Sequence, residues 1–274
     1  MSPPASTTAD FLKSPDYVQS LDRGLSVIRA FDAGHSALTL SQVAQRASLS
    51  RAVARRLLMT LEHRGYVRRQ ERQFSLTPRV LELGFSYLST LTVPSLAHPF
   101  MEEVARAIDE SCSLAVLDEE DIVYVQRVAV RKIMAITLGI GARLPAFCTS
   151  MGRVLLAGLA DEALERVLRT LRPQAWTRHT ITDRAALRTT ILRVRAQGYA
   201  YVEQELQAGL CSLAVPVRDE HGQVVAAINT GMPWRQGARA HALRQVLPAL
   251  RTGAARIERA LAARAGSAPP AARA

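Results

Sequence analysis

The chain has 274 residues, of which 48% are hydrophobic, and it carries a formal net charge of +11. This length and composition allow one large or two ordinary cores and exclude global disorder. No apolar run approaches the roughly 18 residues of a membrane span, and the start of the chain lacks the basic-then-apolar order of a secretory signal. The sequence therefore predicts a basic cytoplasmic protein that meets nucleic acid or another anionic surface.

Metal and cofactor chemistry finds little support in the sequence. The three cysteines are widely separated and odd in number, without C-x-x-C spacing, so neither a disulfide framework nor a zinc site is expected. The six histidines show no metal-ligand spacing, and no GxxxxGK[ST] phosphate loop is present. We predict no metal and no cofactor.

Three helices are predicted near the start of the chain. Apolar residues at helical spacing indicate the first over 20–31. Thr39 and Gln42 form the capping box of a short second helix. Ser50 caps a third helix over 51–64, which a glycine then ends.

The third helix is two-faced. At 100° per residue its apolar residues share one side, and Arg51, Arg55 and Arg56 lie on the other. Residues 46–72 hold eight arginines against two carboxylates, and two short strands around a polar loop follow the helix as a β-wing. This order predicts a winged helix-turn-helix that reads DNA; the alternative is a small helical domain with a solvated basic face. The predicted DNA-binding residues are Arg46, Ser48, Ser50, Arg51, Arg55, Arg56, Arg68, Arg69 and Arg72.

The remaining chain predicts an α+β domain around one antiparallel sheet. A helix over 77–88 connects to it, and strand-like runs, among them "KIMAITL", are followed by interspersed helices and a terminal amphipathic helix. The predicted domains are a disordered tail over 1–15, the winged helix-turn-helix over 16–77, a linker helix over 78–92, the α+β domain over 93–264 and a second disordered tail over 265–274.

The segment "ARLPAFCTSMGRVLLAGL" is a candidate ligand site. Thr149 or Ser150 can cap a helix whose first turn contains Gly152, and such a helix start offers free N–H groups and a positive dipole end to a carboxylate. Arg143 and Arg153 could add charge. Ordinary capping beside a core cysteine is the alternative interpretation. The candidate residues are Arg143, Cys148, Thr149, Ser150, Met151 and Gly152.

Several of these stretches resemble one family. "VQSLDRGLSVIRAF", "LTLSQVAQRASLSRAVARRLLMTLEHRGYV" and "FSLTPRVLELGFSYL" resemble the IclR family of transcriptional regulators. "SRAVARRLLMTL" and "RLPAFCTSMGRVLLAGL" resemble its Pca/Pob branch, which controls aromatic-acid catabolism through the β-ketoadipate pathway. The resemblance covers roughly residues 17–262. One departure is Ser48, where the family more often has glycine; if Ser48 is left-handed, it costs some stability.

The resemblance implies a GAF-like effector domain, joined by the linker helix to the winged helix-turn-helix. It also implies a homodimer or a dimer of dimers on double-stranded operator DNA, and no enzyme activity. Protocatechuate, 4-hydroxybenzoate and β-ketoadipate are the candidate effectors. In the family, the stretch "YVEQELQAGLCSLAV" forms the wall opposite the helix start, which here carries Tyr201, Glu203, Glu205, Leu210, Cys211 and Ser212.

Glu203 and Glu205 alternate along a predicted strand, so both side chains are expected on one face. They would repel an anionic ligand unless one pairs with an arginine. The rival functions are a hydrolase that uses Cys148 or these glutamates, with an accessory DNA-binding domain, and a constitutive DNA binder without operator preference.

Overall fold

A computed structural model describes residues 11–32, 34–88, 92–130 and 139–267. The chain divides into two compact units, 1–89 and 90–274. The predicted tails lie mostly outside the described residues, and so does the strand predicted at "KIMAITL" over 132–138.

The first unit is a winged helix-turn-helix. Its helices are α1 Gln19–Arg29, α2 Leu40–Arg46, α3 Arg51–His63 and α4 Leu81–Leu88, and its strands are β1 Ala37–Thr39, β2 Val67–Gln70 and β3 Gln73–Leu76. The strands form an antiparallel sheet in the order β1-β3-β2. The sequence analysis did not predict β1, which is only three residues long.

Local signals in the sequence set the ends of these helices. Thr39 and Gln42 form the predicted capping box at α2. The Ser50 hydroxyl accepts a hydrogen bond from the Val53 N–H at 3.3 Å and caps α3. Ser48, in the turn between the two helices, is left-handed with φ 55°. Serine therefore occupies a conformation that glycine adopts at lower cost.

The core of the first unit lies between the three helices and the wing. Leu58 from α3 and Val43 from α2 are fully buried, and Phe74 from the wing packs against them. The apolar side predicted for α3 is therefore the buried side.

The second unit is an α+β domain. Its helices are α5 Thr92–Ile108, α6 Ser150–Ala157, α7 Asp161–Thr170, α8 Arg184–Gln197, α9 Ala238–His241 and α10 Leu247–Ser267. Its strands are β4 Cys112–Asp118, β5 Asp121–Val128, β6 Arg143–Pro145, β7 Ala200–Glu203, β8 Leu210–Arg218 and β9 Val224–Pro233. They form one six-stranded antiparallel sheet in the order β6-β5-β4-β9-β8-β7.

The two faces of this sheet are covered by different helices. On one face α6 packs across β8 and β9, above small residues such as Ala115, Ala214 and Ala227. On the other face Ile228 approaches α10 at Gly253, and α10 packs on α5. Because residues paired across antiparallel strands point to the same face, the register assigns every strand residue to the α6 face or the α10 face.

One detail differs from the sequence analysis. The strand predicted through Glu205 ends at Glu203, because Gln204 adopts a left-handed conformation with φ 56°. The expectation that Glu203 and Glu205 share a strand face is therefore wrong.

Candidate DNA interface and effector site

The exposed side of α3 presents three arginines. Arg51, Arg55 and Arg56 are exposed, whereas Ala54 and Leu58 on the opposite side are fully buried. None of the three guanidinium groups has an ion-pair or hydrogen-bond partner among the residues that the structure describes. Arg51 and Arg55 are one turn apart, about 6 Å along the helix axis. They are thus available to bind an external polyanion.

Arg46 is engaged inside the protein. Its Nε donates to the carbonyl of Ala30 at 2.7 Å, and its Nη2 lies 2.5 Å from Asp32 Oδ2. The hydrogen bond from His35, together with the charge of Arg46, lowers the pKa of Asp32. Arg46 therefore joins α2 to the residues that follow α1, and these contacts occupy its Nε and Nη2.

The wing arginines are exposed, and two of them are held locally. Arg68 donates to the Ser75 hydroxyl at 3.0 Å, and Arg69 donates to the carbonyl of Glu71 at 3.0 Å. Arg72, next to the turn, has no such partner within the described part of the chain. The wing thus carries three cations beside the recognition helix.

In the second unit, α6 begins with an open N-terminus. The Thr149 hydroxyl accepts from the Gly152 N–H at 3.2 Å, which satisfies one of the first-turn donors. The N–H groups of Ser150 and Met151 precede the first intrahelical bonds, and no described residue accepts from them. A Cβ on Gly152 would lie 2.1 Å from the Ala146 carbonyl oxygen. The start of α6 can therefore pack this closely against the preceding turn only because residue 152 is glycine.

The Ser150 side chain is the second feature of this helix start. Ser150 is fully buried, and its hydroxyl has no hydrogen-bond partner in the structure. A buried hydroxyl without a partner costs free energy, and such groups in native proteins commonly mark a ligand or water site. The N-terminus of α6 therefore has both unpaired donors and an unpaired hydroxyl.

Arg153 in α6 forms a buried ion pair. Its Nη2 lies 2.7 Å from Glu205 Oε2, and both side chains are more than nine-tenths buried. The Nε of Arg153 donates to the Phe147 carbonyl, and Glu205 also accepts from the Ile181 N–H. Arg153 is therefore neutralised by Glu205, which removes the repulsion that Glu205 would exert on an anionic ligand.

The α6 face of the sheet carries a second group of polar side chains. Asn229 of β9 pairs in register with Ser113 of β4, and Ser212 of β8 pairs with Gly231. No described residue forms a hydrogen bond with the Asn229 amide or the Ser212 hydroxyl. Solvent exposure on this face increases along β9: Ala227 is buried, Asn229 is 8% exposed and Gly231 is exposed.

The end of α6 lies at the closed end of this face. Gly158, which follows α6, contacts Val224 at the start of β9. Eight helical residues span about 12 Å, so the first turn of α6 lies about that far from the closed end. We call Ser113, Arg127, Ser150, Ser212 and Asn229 the effector seat.

The sequence analysis missed Arg127. Arg127 pairs in register with Ser113, and its Nη1 donates to the Ser113 hydroxyl at 3.2 Å. It is half-buried, and no carboxylate of the described residues lies within ion-pair distance of it. Arg143, which was predicted to supply this charge, instead lies on the edge strand β6 and pairs with Asp118 and Asp121.

Three residues predicted for the opposite wall point away from α6. The register places Tyr201, Glu203 and Cys211 on the α10 face, whereas Leu210 and Ser212 lie on the α6 face. Glu203 accepts a hydrogen bond from the Trp234 indole at 2.6 Å. The Tyr201 hydroxyl is buried without a partner, and burial raises the pKa of Tyr201. These three residues cannot contact a ligand at the start of α6.

The thiol of Cys148 is inaccessible. Burial, followed by the charge of Glu205, raises the pKa of Cys148 to about 12. The side chain is fully buried, so it contributes to the core beneath α6. A thiol in this state is a poor nucleophile.

The described residues contain no helix long and apolar enough to cross a bilayer.

A winged helix-turn-helix with an arginine-rich recognition helix, followed by an α+β domain with a polar seat, defines a DNA-binding transcriptional regulator with an effector-binding domain. The family description "IclR helix-turn-helix domain" matches residues 20–71, and "Bacterial transcriptional regulator IclR C-terminal" matches residues 85–259. The chain belongs to the IclR family of bacterial transcriptional regulators.

Individual relatives agree with this assignment. The Pca regulon regulatory protein of Pseudomonas putida is 40% identical over 90% of this chain and 85% of its own length. The p-hydroxybenzoate hydroxylase transcriptional activator of Acinetobacter baylyi is 33% identical over 90% of this chain and 93% of its own. An IclR homologue from Microbacterium hydrocarbonoxydans, crystallised with 4-hydroxybenzoate, is 27% identical with a TM-score of 0.78 over 89% of this chain and 99% of that one.

Proposed function

We propose that this regulator controls genes of aromatic-acid catabolism in response to a small carboxylic acid bound at the effector seat. The observation that carries the proposal is the fully buried Ser150 hydroxyl, which has no hydrogen-bond partner at the start of α6. The names of two relatives refer to the Pca regulon and to p-hydroxybenzoate hydroxylase, and a solved homologue holds 4-hydroxybenzoate. Protocatechuate, 4-hydroxybenzoate and β-ketoadipate are the acids to test.

The chemistry of the seat suits a small acid. The Ser150 and Met151 N–H groups and the positive end of α6 favour an anion, and Arg127 supplies a charge that no described carboxylate neutralises. The Ser212 hydroxyl and the Asn229 amide can bind a second polar group of the ligand, such as a ring hydroxyl.

We assign binding rather than turnover to the second unit. A hydrolase of the cysteine type needs an accessible thiolate beside a base, but Cys148 is buried with a raised pKa. Glu205 is paired with Arg153, and Glu203 lies on the other face of the sheet. No pair of these residues has the geometry of an acid–base couple.

The first unit is assigned to operator recognition in the cytoplasm. Arg51 and Arg55 are proposed to read bases in the major groove, and Arg56 with the wing arginines is proposed to bind phosphates. Ser48 and Ser50 lie at the start of the same helix, where a hydroxyl can donate to phosphate. Arg46 supports the fold of this region through Asp32.

We further assign a homodimer as the DNA-binding state. Large apolar side chains are exposed at helical spacing on and before α1, and others are exposed on α4. Exposed groups of large apolar side chains mark interaction sites, and two copies would present two recognition helices to a repeated operator. The exposed side chains are Val18, Leu21, Leu25, Leu81, Leu83 and Tyr87.

A thermal-shift screen tests the ligand assignment. The full chain is heated with each of the three acids and with unrelated carboxylates. An acid present at about a hundred times its dissociation constant stabilises the folded state by about 2.7 kcal/mol. N229A and R127A should lose the shift caused by the effector, whereas R193A, an exposed arginine of α8, should keep it. The absence of a shift with every acid would contradict the proposal.

A further inference from the structure

A groove outside the effector seat lies between the turn 176–181 and the loop 204–208. It has a volume of about 490 Å³, which is within the range of small-molecule sites. Trp176, Arg178 and His179 form one side of the groove, and Gln204 and Leu206 are among the residues of the other side.

The groove is built on a rigid turn. The Thr180 hydroxyl accepts from the N–H groups of Trp176 and Thr177 at 3.0 and 2.9 Å, and it donates to the Glu205 carbonyl at 2.6 Å. The Thr177 hydroxyl donates to the Gln204 carbonyl at 2.6 Å. Side-chain hydroxyls therefore fix both walls to each other without helix or strand pairing, so the site is preorganised.

The loop that forms the second wall is conformationally strained. Gln204 has φ 56°, a left-handed conformation that costs a non-glycine residue free energy. Its side-chain oxygen accepts from the Gly209 N–H at 3.1 Å, which leaves the amide NH₂ as a donor. Beneath the loop, Glu205 is anchored to Arg153.

The side chains on the two walls of the groove together suit one class of ligand. The Trp176 side chain is 54% exposed, although its backbone is fixed. Arg178 donates through Nε to the His179 ring at 3.1 Å, which leaves its terminal nitrogens unpaired, and no described carboxylate lies within ion-pair distance of it. The one acid of these walls, Glu205, directs its carboxylate to Arg153. The groove thus combines an aromatic face, a cation and an amide donor.

We infer that this groove is a second ligand site, separate from the effector seat, that binds a small aromatic carboxylate. The ring stacks on Trp176, the carboxylate forms a charge-assisted hydrogen bond with Arg178, and Gln204 donates to the same carboxylate or to a ring hydroxyl. The inference does not depend on the proposed function, because none of these groups belongs to the seat.

Trp176 itself supplies the probe. The chain has two tryptophans, so W234F leaves Trp176 as the sole indole reporter. Titration of full-length W234F with benzoate should quench its fluorescence saturably, after correction with N-acetyltryptophanamide. Benzyl alcohol, which lacks the charge, and cyclohexanecarboxylate, which lacks the aromatic ring, should bind at least tenfold more weakly. In the same background R178A should raise the dissociation constant for benzoate about tenfold or more, whereas R193A should leave it unchanged.

The seat variants distinguish this inference from the proposed function. N229A and R127A should abolish the effector-induced thermal shift but leave the quenching of Trp176 by benzoate intact. The inference is overturned by quenching that is linear, by equal affinities of R178A and R193A, or by quenching that disappears in N229A. Quenching that increases with protein concentration in the absence of acid would show that a second copy of the chain occupies the groove. This result would also overturn the inference.

Discussion

Arg153 in the first turn of α6 and Glu205 in the loop after β7 form a buried ion pair, with 2.7 Å between Nη2 and Oε2. The pair joins the helix start that borders the effector seat to the loop that borders the Trp176 groove. Glu205 also accepts from the Ile181 N–H, so three segments meet at one carboxylate. The pair therefore stabilises this region. It also neutralises Arg153, so Arg127 is the cation of this region that remains for a ligand at the effector seat.

Removal of one residue of the Arg153–Glu205 ion pair should lower the free energy of unfolding of the second unit. E205A leaves the Arg153 guanidinium buried without a counter-charge, which typically costs about 3–5 kcal/mol. Urea unfolding followed by tryptophan fluorescence reports this unit alone, because Trp176 and Trp234 both lie in it. R153M/E205L should recover most of the loss, since an apolar pair of similar volume can replace a buried ion pair. An E205A protein as stable as the parent would show that the pair is not formed.

Gly152 should not tolerate a side chain. In G152A the new Cβ would meet the Ala146 backbone at 2.1 Å, so the helix start or the turn has to move. We expect a loss of more than about 2 kcal/mol in the free energy of unfolding, comparable with severe overpacking. G139A is the matched control, because nothing lies within 4 Å of its Cβ position. Equal unfolding midpoints for the two variants would contradict this close approach.

The cysteines should be unreactive in the native protein. All three are buried, and burial raises the pKa of Cys112 and Cys148 to about 12 from an ordinary value of 9.0. Because the folded state favours the protonated thiols, their contribution to stability is fully present below about pH 9 and is lost as the pH rises toward about 12. A thiol reagent at pH 8 should label the protein only after urea is added. Rapid labelling of the native protein that C148S abolishes would revive the nucleophile hypothesis.

Two kinds of arginine in the first unit should respond differently to substitution. R51A and R55A should each reduce discrimination between operator and scrambled DNA by about 1–3 kcal/mol, because a base contact is lost. R46A should lower the melting temperature instead, because Arg46 binds the Ala30 carbonyl and Asp32. Competition binding and circular dichroism on the same proteins separate the effects. Unchanged discrimination in R51A and R55A would refute their assignment.

Local sequence signals predicted the first unit well. Helical phase identified the buried side of α3, and the Thr39–Gln42 capping box fixed the start of α2. Strand β1 escaped prediction because three residues are too few to show a period of two. Arg46 was placed among the DNA contacts because its partner Asp32 is fourteen residues away and the pairing depends on tertiary structure.

The effector seat was harder to predict because it depends on strand register. A bulge in β5 at Val125 moves Arg127 onto the same face as Tyr124, which simple alternation does not allow. Glu205 was placed on a strand because Gln204, which ends that strand in a left-handed conformation, is not a glycine and gives no turn signal. The capped start of α6 was visible in the sequence, whereas the residues that complete the seat come from strands distant in the chain.

The most direct test of the account is whether an acid at the seat changes the affinity for DNA. An operator fragment selected in vitro by the full chain is titrated by fluorescence anisotropy, with and without the acid that gives the thermal shift. We predict that saturating acid changes the operator dissociation constant about fivefold or more, as allosteric coupling typically does, and that N229A abolishes this change while binding the operator normally. An operator affinity that the acid leaves unchanged in the parent protein would contradict the account.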